Sequence, residues 1–165
     1  MKLYIKQLAF NGSESFPIMD ESGQTKYFAQ GEFYSRGKKI RVFNLSGFEV
    51  CTVQQKASCV NQKYSISVEG MHVAEINRDM LTLHPELEIS GLDWEVLQQG
   101  GIHEYSINRS GKHIVTVHSR WMDYGPCVEA DIAPDVNEIA VLGVVLTIDL
   151  LLYAAPNINF LVVGG

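Results

Sequence analysis

Hydrophobic and polar residues alternate along most of the first 133 positions, and after that the alternation stops. The two-residue period is clear in Tyr64-Ser65-Ile66-Ser67-Val68, in Ile114-Val115-Thr116-Val117 and in Trp94-Glu95-Val96-Leu97. A strand with one face on a core and one in water shows this pattern. Turn signals separate the runs every 8–12 residues, among them Ser46-Gly47, Glu69-Gly70, Ser90-Gly91 and Ser110-Gly111. Together they predict about 12 short antiparallel strands closing into a barrel or sandwich. From Val136 to Ala155 nearly every residue is apolar, at a length suited only to a helix. Pro134-Asp135 opens it with Asp135 as the expected N-cap and Glu138 at N3, and Pro156 ends it.

An internal repeat adds register to this picture. A shift of 64 lays Ser46-Gly47 on Ser110-Gly111, Thr52-Val53 on Thr116-Val117, and Tyr64, Ile66 and Val68 on Val128, Ala130 and Ile132. A smaller unit recurs four times, a β-branched residue followed by apolar residues 11 and 13 positions on. Its members are Ile5/Phe16/Ile18, Val53/Tyr64/Ile66, Ile76/Leu87/Ile89 and Val117/Val128/Ala130. Constant spacing in a strand-turn-strand unit keeps the same side chains on the inner face.

The apolar helix needs a dry environment on every side. Twenty residues would span about 30 Å, enough for a bilayer. Asp149 lies deep within the stretch, no Lys or Arg follows Arg120, and the preceding strands need a core. A charge in hydrocarbon is costly, and the flanking cations that orient a span are missing. The expected architecture is therefore mainly β, a 12-stranded antiparallel closed barrel around a central hydrophobic C-terminal helix. Its length of 165 residues suits one domain, with the barrel at 1–133, the helix at 135–155 and an apolar tail at 156–165.

Composition narrows the function classes. Residues 1–120 balance 13 acids against 13 bases, and the last 45 residues carry six acids and no base, so the net charge is −6. Such a chain is a poor nucleic-acid binder. Three cysteines without a CxxC pair, and no signal peptide, point to a reduced, cytoplasmic protein.

The opening Tyr4-Ile5-Lys6-Gln7, the segment Gly31–Lys39, Leu92-Asp93-Trp94-Glu95-Val96 and the final helix, in that order, resemble the LURP-one-related proteins. These share the tubby-like fold with tubby proteins and phospholipid scramblases. The resemblance implies a 12-stranded barrel around a central hydrophobic helix. Scramblases add a Pro-rich extension and a cysteine cluster, which this chain lacks, and an acidic calcium segment before the helix. Here Glu129, Asp131 and Asp135 occupy that region, too few oxygens for calcium without help from backbone and water. Tubby proteins hold phosphoinositides with basic residues on the barrel, and the comparable cluster here is Arg36, Lys38, Lys39 and Arg41.

That cluster could hold an anionic head group, although in a strand Lys39 and Arg41 would share one face and Lys38 the other. The bland alternative is a solvated hairpin. Asp149 is the other candidate, either an anchor setting the depth of the helix or a buried ion or proton site. The five histidines lack zinc spacing and read as half-exposed strand residues, and no catalytic motif, cofactor or metal site stands out. Cysteines and the two tryptophans, Trp94 and Trp121, read as packing residues of the wall. The leading expectation is a non-catalytic module bound to anionic phospholipid, peripheral to the membrane. The alternatives are a protein-interaction scaffold, with homo-oligomers forming through the apolar tail, a scramblase-like membrane protein, and an enzyme.

Overall fold

The computed structural model describes residues 1–8, 10–34, 37–56, 61–79, 87–101 and 103–154. The strands are β1 (Lys2–Lys6), β2 (Gly12–Met19), β3 (Thr25–Phe33), β4 (Lys39–Asn44), β5 (Glu49–Lys56) and β6 (Asn61–Val68). They continue with β7 (Met71–Asp79), β8 (Leu87–Ser90), β9 (Trp94–Gln98), β10 (Tyr105–Arg109), β11 (Lys112–Met122) and β12 (Gly125–Ile132), and one helix follows, α1 (Glu138–Ala154). All 12 strands form a single antiparallel sheet in the order β8-β7-β6-β5-β4-β3-β2-β1-β12-β11-β10-β9. Sequence neighbours pair except β8 with β9, and β1 also pairs with β12, which brings Lys2 opposite Asp131. The two ends of the sheet, β8 and β9, meet without a ladder between them, so the barrel is nearly closed.

Strict alternation of direction gives the barrel two unlike ends. One carries tight connections at 20–24, 45–48, 69–70, 91–93 and 110–111, and the chain enters α1 there. The other carries the connections at 7–11, 34–38, 57–60, 80–86, 99–104 and 123–124, and α1 finishes there. We call these the turn end and the loop end. The repeated Ser-Gly pairs at 46–47 and 110–111 are turns of the first kind, with Gly47 at φ 86° and Gly111 at φ 79°. An L side chain is strained at such angles, which is why glycine recurs.

The four repeated triplets set the ladder. Ile5 lies opposite Ile18, Val53 opposite Ile66, Ile76 opposite Ile89, and Val117 opposite Ala130. The 64-residue shift superposes β6 on β12, and Cys51 opposite Val68 matches Val115 opposite Ile132. A one-residue slip would turn every inward side chain out, so the apolar pattern holds each hairpin in place. One irregularity lies between β10 and β11, where Ile107 pairs with Val115 and Asn108 with His113. Ile114 bulges there, which puts both Ile114 and Val115 in the core.

The helix fills the barrel. Val141, Leu142, Val144, Val145, Leu146, Ile148, Leu150 and Leu151 are all buried, and they pack in one cluster with the inward residues of the strands. It is shorter than expected, 17 residues and about 25 Å. Asp135 does not cap it. Asn137 does, its Oδ1 accepting from the N–H groups of Ile139 (2.9 Å) and Ala140 (3.3 Å). Arg109 draws Asp135 away in an ion pair of 2.9 Å. Glu138 instead binds Lys26 at 2.9 Å. No helix among the described residues is long and apolar enough to cross a membrane. The tail at 156–165, with the oligomer contact expected of it, lies outside the described residues.

Ala140, Gly143 and Thr147 mark the side of closest approach to the wall. A Cβ on Gly143 would sit 2.6 Å from Cγ2 of Ile66 and 3.1 Å from Sγ of Cys51. Thr147 satisfies its buried hydroxyl by donating to the Gly143 carbonyl at 2.6 Å. Gly143→Ala therefore trades better helix propensity for a clash with a β-branched wall residue. We expect a net loss of about 1–3 kcal/mol, and more for Gly143→Val, read from urea midpoints. A Gly143→Ala protein as stable as the parent would show that the helix does not approach the wall at this point.

Candidate functional site

Lys39 and Arg41 both point outward from β4, alternating with the inward Ile40 and Val42. Lys38 precedes the strand, its N–H donating to Oε1 of Gln55 at 3.1 Å. Arg36 lies outside the described residues. Arg41 is drawn toward Glu49 at 4.0 Å, on the side of the turn end. Of the expected quartet, Lys39 and Arg41 thus share the outer face of β4 and Lys38 lies just before it.

The sheet brings further basic residues beside them. Lys39 lies opposite Gln54 on β5, and the next outward residue of β5 is the exposed Lys56. Lys56 in turn lies opposite Lys63 on β6. Like charges directly opposed across two strands destabilise a sheet. Glu75 on β7 offsets part of this, 3.6 Å from the Lys63 ammonium. Lys38, Lys39 and Lys56 have no ion-pair partner among the described residues. The result is a basic strip across β4–β6 near the loop end. Glu32, opposite Lys39 on β3, bounds it on one side.

Asp149 sits inside the barrel at 5% exposure. Its partner is His103, from the β9–β10 connection, with Nδ1 3.3 Å from Oδ1. The atoms are close enough for an ion pair but are not aligned as a hydrogen bond. Burial alone would lower the His103 pKa, but the carboxylates of Asp149 and Glu104 raise it above its usual value. The adjacent Glu104 faces outward and holds His118 on β11 at 2.7 Å. Its pKa is lowered because these contacts outweigh its partial burial. Thus one dipeptide ties the loop to the helix inside and to the wall outside. Tyr105, fully buried beside this pair, has its pKa pushed far up by burial and by the Asp149 charge. Nearby in the chain direction, Arg78 donates to the Leu151 carbonyl at 3.4 Å, near the end of α1.

A half-open cavity of about 580 Å³ lies at the turn end, beside the helix N-terminus. Its apolar lining includes Val73, Leu92 and Trp94, and its polar lining includes Glu69, Asp93 and Asp135 with Arg109. Arg109 is already neutralised by Asp135, so an anion finds little to bind there. Among the described residues there is no group of three or more His, Cys, Asp or Glu that could hold a metal ion. Cys51 and Cys127 are buried free thiols, and burial pushes Cys51 up to about 12.

Comparison with known proteins agrees with this architecture. The model of the LURP-one-related family matches residues 1–149. The chain belongs to that family. A curated relative, the uncharacterized protein YxjI of Bacillus subtilis (strain 168), is 25% identical over 153 residues, covering 93% of this chain and 94% of the relative. No solved structure matches. Within this LURP-one-related barrel, Trp94 is buried as expected of a wall residue, but Trp121 is 81% exposed. By alternation Trp121 continues the inward face of Val117 and Ser119, but the ladder with β10 ends at Tyr105 opposite Val117, so beyond it β11 has no paired strand on that side among the described residues and the ring stays exposed. His103 also departs from expectation, since it lies in a loop and faces the core helix.

The His103–Asp149 contact has a testable pH dependence. A raised folded-state pKa means that its contribution is complete below the unfolded value of 6.5 and fades as pH rises through the folded value. Unfolding free energy measured at a series of pH values above 6.5 should fall, and His103→Gln should flatten that fall. Parallel curves for parent and variant would mean that the pair carries no such linkage.

Proposed function

We propose that this chain is a non-catalytic module that docks on anionic phospholipid surfaces through Lys38, Lys39, Lys56 and Lys63. The observation that carries this reading is the strip itself, in which Lys38, Lys39 and Lys56 have no ion-pair partner among the described residues and Lys56 faces Lys63, whose charge Glu75 only partly offsets. A fold of net charge −6 has acids to spare, yet these positions keep like charges at a cost to the sheet. Lipid phosphates would relieve that repulsion, each nearby cation adding favourable energy at a charged bilayer. Arg41, occupied by Glu49, contributes less in this reading than the sequence suggests. Asp149 serves as an anchor that sets the depth of α1, since it is already paired with His103.

Co-sedimentation with phosphatidylserine vesicles at low salt tests the proposal. Lys39→Ala and Lys56→Ala should each weaken binding about fivefold, and Arg41→Ala should have less effect. Added salt should abolish binding in step with the screening of these charges. Absence of any binding at low salt, or equal losses for Arg41→Ala and Lys56→Ala, would contradict it.

A further inference from the structure

The basic strip and the protruding hairpin share one end of the barrel. Alternating strand direction places the β3–β4, β5–β6 and β11–β12 connections together at the loop end. In the sheet, β4–β6 and β11–β12 are separated by β1–β3, so the strip and the hairpin flank the mouth rather than adjoin. The hairpin carries Trp121 at 81% exposure with Tyr124 at 41%, one exposed acid, Asp123, in its turn, and Arg120, which is ion-paired with Glu129 at 3.4 Å. A single exposed apolar residue means little, but an indole near the end of β11, beyond the last rung that β10 makes with it, is placed to meet something outside the fold. The turn end has the opposite character. Its connections carry Asp20, Glu21, Glu69, Asp93 and Asp135, which an anionic surface would repel.

We infer that the barrel stands on an anionic bilayer on its loop end, with the β11–β12 hairpin inserting Trp121 into the head-group layer. This rests on the membrane-docking reading and adds its orientation and its apolar contact. Charge complementarity selects the occupant, because the lysines need phosphates across the mouth from the place where the indole needs a partly apolar layer. A bilayer interface offers both on one plane, and tryptophan is the residue enriched at that depth. Lysines alone give a salt-sensitive encounter, and the buried indole adds affinity that salt does not screen.

The two tryptophans make the test direct, since one is buried at the turn end and the other exposed at the loop end. In a Trp94→Phe protein, Trp121 is the sole emitter. On adding phosphatidylserine-containing vesicles its emission should shift to the blue and be quenched by brominated lipid, with no change on pure phosphatidylcholine. In the complementary Trp121→Phe protein, which does not disturb the core, Trp94 emission should stay constant. Trp121→Ala should lower vesicle affinity by roughly tenfold or more. If vesicles bind through the lysines but Trp121 emission does not move, the orientation is wrong and the docking reading survives. Binding that shifts Trp94 would also overturn the orientation. If no anionic vesicle binds, both ideas fall.

Discussion

A helix without a polar side cannot lie on a surface, and a curled sheet of 12 strands cannot remain empty. Each demand is met by the other. Apolar side chains leave water on every side of α1, and the inward row of each strand finds its packing partner in the helix rather than in an opposing sheet. The pairing also limits what the helix can be made of. Gly143 must stay small because Ile66 and Cys51 press on it, and Thr147 must turn its hydroxyl back to the helix backbone. Asp149 is tolerated where the core reaches the loop end and an imidazole can face it.

A filled interior moves chemistry to the outside. With α1 in the lumen, what distinguishes this molecule is how charge and aromatic surface are distributed on its wall and two ends. Acids gather around the turns near the helix N-terminus. Unpaired lysines line one stretch of wall near the opposite mouth, and an exposed indole stands across from them. The nearly closed seam between β8 and β9 follows from the same economy of space, since Gly91 brings the connecting turn against the Val73 carbonyl where a side chain could not fit.

Much of the fold was legible because it is periodic. Two-residue alternation marks strands wherever one face is wet, and the +13 spacing of Val53/Ile66 and its three counterparts reports hairpin register directly. What was not legible depends on partners distant in the chain. Asp135 has the composition of an N-cap, but Arg109 from β10 claims it and the helix begins at Asn137's expense instead. His103 is an ordinary loop histidine until α1 delivers Asp149 beside it, 46 positions later. The basic strip is not visible in the sequence because Lys56 and Lys63 face each other only after β5 and β6 pair. Trp121 could be assigned to a face by parity, but parity does not say where the wall ends.

The central claim is that helix and barrel are one cooperative unit, neither stable without the other. Native-state hydrogen exchange measures this most directly, because it reports the free energy of the smallest opening that exposes each amide. The amides of residues 142–151 should exchange only through global unfolding, with the same free energy and denaturant dependence as the inward-facing positions of β5, β6 and β12. Exchange of the helix through a cheaper opening while those strands remain protected would show a barrel that stands without its core, and would contradict the account.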